Sequence, residues 1–182
     1  MASIITATTT SGLTQSADNS GVLQLASGTG NLVTVPSVTG TAMVSGNMPA
    51  FSAYQSSNQS ISNGTWTKVT LTTEEWDTNS NYASSRFTPT VAGYYQLNGR
   101  CAIDGGASGN NYAAIYKNGS SYKVGDSREP SVTYGANISC LVYLNGTTDY
   151  VELYYWQQSG VSKNTFANSD ATYFQGAMVR SA

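Results

Sequence analysis

Few side chains in this sequence could do chemistry. Glu74, Glu75 and Asp77 form the one acidic cluster, Cys101 and Cys140 are the thiols, and none of the 182 residues is histidine. Without histidine, Ser-His-Asp and Cys-His nucleophilic sites and most transition-metal sites are excluded together. A glycosidase needs two carboxylates opposed across a cleft, whereas these acids lie side by side in what reads as a polar loop ending in Asn79-Ser80-Asn81. They read as solvated loop charge, with a calcium site as the lesser alternative. Gly105-Gly106-Ala107-Ser108-Gly109-Asn110 has the look of a phosphate loop, but no helix follows it and no Lys-Ser/Thr pair closes it, so it reads as a strand connection. Cys101 and Cys140 each fall on the apolar phase of a strand pattern and read as buried free thiols. The expectation is a protein without catalytic residues, metal or cofactor.

Aromatic residues are the other chemical resource. Tyr94-Tyr95 and Tyr154-Tyr155-Trp156 place rings on consecutive strand positions, so both faces of a sheet carry apolar bulk. One face fills a core. The other needs a second burial partner, either a subunit interface or a sugar-stacking platform. The interface is the leading reading, with Tyr94, Tyr154, Trp156 and Phe174 as its candidates.

The elements that must position these residues are strands. Only 10% of residues are charged, Gly (18) and Tyr (13) are abundant, and 40% are hydrophobic, the composition of short strands joined by polar turns. The net charge of -2 gives no footprint for nucleic acid or an anionic membrane. No apolar run is long enough to span a bilayer, and the first residues lack the pattern of a secretory signal, so the chain reads as made in a cytosol. Strands are expected at 50–54, 65–71, 85–88, 93–103, 132–144, 149–158 and 171–180. Within 93–103, Tyr95, Leu97, Cys101 and Ile103 share one face and Gln96, Asn98 and Arg100 the other. Asn118-Gly119 predicts a type I′ hairpin with Ile115 opposite Tyr122 and Ala113 opposite Val124.

The first fifty residues carry a single charged side chain, Asp18. The composition shifts near 46–49, which divides the chain into residues 1–47 and 48–182. In the first part, Val22-Leu23-Gln24-Leu25 and Leu32-Val33-Thr34-Val35 are β-prone runs joined by a Ser-Gly-Thr-Gly-Asn turn, a hairpin whose anchor candidates are Val22, Leu23, Leu25, Leu32, Val33 and Val35. A hairpin with so few apolar residues is marginal alone, so it reads as an anchoring arm.

The later part resembles a known superfamily. Met48-Pro49-Ala50-Phe51-Ser52-Ala53-Tyr54, Arg86-Phe87-Thr88-Pro89-Thr90-Val91-Ala92-Gly93-Tyr94-Tyr95, Asp149-Tyr150-Val151-Glu152-Leu153 and Thr172-Tyr173-Phe174-Gln175-Gly176-Ala177-Met178-Val179 occur in the expected order. Together they resemble the jelly roll shared by the heads of the complement first-component recognition protein and the tumour necrosis factor ligands, in particular its phage and bacterial branch. The resemblance implies an all-β jelly-roll sandwich of about ten antiparallel strands with an extended N-terminal β-hairpin arm, assembled as a homotrimer. It further implies a non-enzymatic phage virion protein, a capsid decoration (cement) protein or head fibre, released by lysis. Residues 1–47 would attach it to the major capsid protein or another virion protein. The alternative is a tail-fibre tip or lectin-like module that binds a host surface glycan.

Overall fold

The computed structural model describes residues 23–26, 32–35, 43, 46, 48–105, 109–125 and 134–182, and the chain divides into two compact units, residues 1–41 and 42–182. In the first unit β1 (Leu23–Ala26) and β2 (Leu32–Val35) pair antiparallel, with Leu23 opposite Val35 and Leu25 opposite Val33. Val22 lies outside the described residues. The second unit begins earlier than the shift in composition near 46–49, because Met43 packs against the core and the Gly46 carbonyl accepts the Asn79 side-chain amide at 3.1 Å.

The second unit is an antiparallel sandwich with no α-helix among the described residues. Its first sheet runs in the order β12 (Tyr134–Leu144), β9 (Gly93–Ile103), β15 (Tyr173–Ser181), β3 (Ala50–Tyr54), β6 (Thr73–Asp77). Its second sheet runs β11 (Ser120–Val124), β10 (Asn111–Lys117), β13 (Val151–Gln157), β8 (Arg86–Phe87), β7 (Tyr82–Ala83), with β5 (Thr67–Lys68) also on β13. A short pair, β4 (Ser60–Ile61) with β14 (Lys163–Asn164), lies apart from both sheets.

Alternation explains the core. In β9, Tyr95, Leu97, Cys101 and Ile103 are buried while Tyr94, Gln96, Asn98 and Arg100 are more exposed, as the sequence pattern requires. Phe51 is the hub: its ring stacks on Phe87 at 4.3 Å and Tyr82 at 5.1 Å and meets Phe174 edge-on at 4.9 Å. Each such buried ring contributes about 1.5–3 kcal/mol. Gly99 stands on the same buried phase, where an added Cβ would lie 2.7 Å from Leu153 Cδ1, so its bareness lets the sheets close. The two thiols are free. Cys101 pairs with Ala136 and Cys140 with Leu97, so they stand four positions apart along their strands, about 13 Å and beyond disulfide reach.

Three sequence expectations are corrected. The acidic cluster is not a loop: Glu74, Glu75 and Asp77 belong to β6, whose Glu75 is the extra residue of a bulge against β3. There Ser52 Oγ donates to Glu75 Oε2 at 2.6 Å, and Asp77 accepts the Tyr82 N–H at 2.7 Å, holding the turn that follows. The strand expected over 65–71 shortens to Thr67–Lys68. The Val69 N–H still reaches the Leu153 carbonyl at 2.9 Å, but the Leu71 N–H turns to Ser85 Oγ at 2.8 Å and leaves the ladder.

The hairpin register is the third. Asn118 (φ 52°) and Gly119 (φ 79°) form the expected left-handed turn, and Lys117 pairs with Ser120. A bulge then takes Tyr122 out of register, so Ile115 faces Lys123 and Ala114 faces Val124. The β11 strand is exposed along its whole length and buries no face that would fix the register. Tyr122 instead donates its hydroxyl to the Leu141 carbonyl at 3.2 Å.

Candidate functional site

Each sheet turns one face inward, and the candidate sites lie on the two outward faces. On the first sheet Tyr94 and Tyr143 are directly paired, their ring centroids 5.5 Å apart. They are 40% and 41% exposed, and exposed Leu141 and Val179 belong to the same sheet. Farther along this face the Gln96 amide donates to Ser139 Oγ at 2.9 Å, and Ser139 donates to Asn98 Oδ1 at 2.9 Å. Gln96 and Asn98 continue into a shallow cavity of about 230 Å³ closed by Gln175, Ala177 and the exposed Trp76. The face thus gathers exposed apolar groups at one end, where exposed Arg180 also pairs with Tyr94, and amides in the middle, with no ion pair among its described residues.

The second sheet presents a different surface. Along β13 the outward positions after Tyr150 are Glu152, Tyr154 and Trp156, and β10 sets Tyr112 and Tyr116 beside them. Tyr116 stacks on Tyr154 at 3.8 Å, Tyr112 lies 5.4 Å from Trp156, and Trp66 lies 6.1 Å from Tyr116. All five rings are half-buried. Burial holds the Tyr116 and Tyr154 hydroxyls above their ordinary pKa, so both stay protonated and able to donate. Glu152 is 2% exposed and takes Lys68 Nζ at 2.7 Å and Arg86 Nε at 2.9 Å on the same oxygen. Lys68 also donates to the Ser84 carbonyl at 2.9 Å.

No protein-family model matches the sequence, and no curated protein is significantly similar to it. Solved structures do match. The globular domain of zebrafish complement 1qA superposes with a TM-score of 0.55 at 18% identity, over 74% of this chain and 99% of that one. Murine APRIL gives 0.54 at 8% identity over 72% and 99%. PRD1 vertex protein P5 gives 0.55 at 15% identity over 74% and 98%. The fold is the tumour necrosis factor-like jelly roll. At these identities the likeness establishes the architecture of this jelly roll and leaves its role to be argued from its own surfaces.

The residues proposed from sequence for one interface do not share a surface in this jelly roll. Tyr94 is on the outward face of the first sheet and Tyr154 and Trp156 on that of the second. Phe174 is on neither. Its side chain is fully buried against Phe51, because the odd phase of β15 that carries Tyr173 and Gln175 faces out and the even phase faces the core. It is a core residue of a single copy. Tyr143, Leu141 and Trp76 on one face, and Tyr112, Tyr116 and Trp66 on the other, were not singled out by sequence. The alternation of Leu141 and Tyr143 against Val142 and Leu144 was the available signal for the first set.

Proposed function

We propose that this chain is a non-enzymatic virion structural protein of a phage, a homotrimer whose jelly-roll head stands outward from the particle. The observation that carries this reading is the outward face of the first sheet. Its paired Tyr94 and Tyr143, with Leu141 and Val179 exposed on the same sheet, form an apolar patch that soluble monomers rarely leave uncovered, and a second copy is its natural cover. The likeness to the vertex protein of phage PRD1 favours a virion setting among the roles this fold serves. Within that setting the reading is a capsid decoration protein or a head fibre, made in the host cytoplasm and released by lysis. The β1–β2 hairpin, with Leu23, Leu25, Leu32, Val33 and Val35, is the particle anchor, contacting the major capsid protein or another virion protein.

Comparing the full chain with one lacking residues 1–41 tests the assignment. Both should run as trimers by light scattering, and only the full chain should sediment with particles assembled without this protein. Equal binding by the two would move the attachment into the head. A second reading, a tail-fibre tip that binds host glycans, is favoured by the ring-bearing face of the second sheet.

A further inference from the structure

The outward face of the second sheet holds a charged group that its own fold leaves partly unused. Glu152 is satisfied by Lys68 and Arg86, while Arg86, its side chain 42% exposed, keeps further donors turned to solvent. Its Nε is tied to Glu152 at 2.9 Å and its Cζ sits 3.7 Å from the Tyr150 ring centroid, while its two Nη groups have no hydrogen-bond partner among the described residues. Held at two points, the guanidinium offers a preset fork of donors, the geometry that pairs with a carboxylate. Arg86 also lines a cavity of about 500 Å³, whose other walls include Lys68, Asn81, Ser84, Thr88 and Thr90. Those walls offer hydroxyls, an amide and a second cation.

Beside the Lys68–Glu152–Arg86 cluster run the half-exposed rings of Tyr154, Tyr116, Trp156 and Tyr112. Flat rings stack on the C–H faces of sugars, and the hydroxyl-rich cavity matches sugar hydroxyls. The charge balance selects among sugars, since two cations face one carboxylate that is already doubly paired. A nucleic acid would need a longer row of cations than Lys68 and Arg86 provide, and a protein partner would have to bury Lys68, a residue type in which interface cores are depleted. The geometry points to this face as a binding site for an acidic saccharide, its rings on Tyr154 and Trp156 and its carboxylate on the Arg86 fork. The site deepens the glycan-binding reading, and it depends on the proposed trimer only in that neighbouring copies cover the first sheet and leave this face open.

The test is titration of the full chain with tetragalacturonate, an oligosialic acid, the neutral methyl ester of tetragalacturonate, and inorganic phosphate. Binding is read by calorimetry and by tryptophan fluorescence, since Trp66 and Trp156 stand on this face. At least one acidic oligosaccharide should bind saturably, and about tenfold more tightly than its uncharged counterpart. Arg86→Lys keeps a cation beside Glu152 but loses the fork. It should weaken acid binding by about tenfold and leave neutral binding unchanged. Trp156→Ala should weaken both.

Equal affinity for acid and ester, phosphate binding as tightly as the saccharides, or no saturable binding at millimolar concentration would overturn the inference. The mass in solution is measured on the same samples. A trimer that binds no acidic sugar overturns the binding site alone, and a monomer that binds it overturns the proposed assembly alone.

Discussion

Tyr143→Glu and Phe174→Ala separate the interface from the core. Tyr143 and Tyr94 expose 41% and 40% of their surfaces in one copy. For a ring side chain of roughly 200 Å² that leaves about 80 Å² each for a neighbour to cover, worth about 2 kcal/mol at ~25 cal/mol per Å². A threefold assembly repeats the change in every copy. Tyr143→Glu therefore removes about 6 kcal/mol per trimer, before the cost of burying a carboxylate, which shifts dissociation by about four orders of magnitude. The same change at an exposed position should move the unfolding free energy of one copy by only about 0.5 kcal/mol. Phe174→Ala should do the reverse: it empties the core beside Phe51 and costs about 3–5 kcal/mol of stability. Light scattering over a dilution series reads the first effect, and urea unfolding monitored by circular dichroism reads the second. A Tyr143→Glu protein that stays trimeric at micromolar concentration would refute the placement of the interface on the first sheet.

Tyr155 is fully buried, and its hydroxyl has no hydrogen-bond partner among the described residues, so its pKa is pushed far up by burial. Tyr155→Phe should therefore raise stability, by about 1 kcal/mol in urea unfolding, rather than lower it. The Asp149 carboxyl is held below its ordinary value of 3.8, first by the Asn118 side-chain amide and then by Lys117. That stabilisation is complete above the ordinary value and is lost as pH falls through the lowered one. Between about pH 5 and about pH 2 the melting temperature of Asp149→Asn should consequently fall less than that of the parent chain.

The parts of the fold legible in the sequence are those where one strand alone carries the signal. The β9 strand was legible because its inside-outside alternation runs from Gly93 to Cys101 and leaves no other register for Tyr95 and Leu97, with Ala102 and Ile103 both buried at its end. The Asn118-Gly119 turn is equally local. The short β6 strand was hidden because its exposed face carries Glu74 and Glu75, charges that read as loop when the pairing with β3 is unknown. Phe174 was misplaced for the same reason. Its ring could have faced either way until pairing with Ala53 and Gly99 set it against Phe51. The outward aromatics were individually visible, but their distribution over two sheets depends on strand order, which joins residues as far apart as Tyr94 and Tyr143.

That distribution limits how copies can assemble. The two sheets of a sandwich lie face to face, within about 30° of one another, so their outward faces point in nearly opposite directions. If one copy's first sheet met the next copy's second sheet, each addition would continue along the same line and produce an open fibre. A closed ring of three needs contact patches steeply inclined to each other, which a face and a neighbouring edge provide and two opposite faces do not. Of the two sheets, the first has exposed apolar groups at Trp76, Tyr94, Leu141 and Tyr143, while the second exposes Tyr122 and Val124 on its edge strand β11 and keeps its central rings half-buried against one another. In the proposed trimer, closure through the first sheet would leave the second facing solvent in every copy, with Arg86 and the Tyr154–Trp156 rings presented three times around the head.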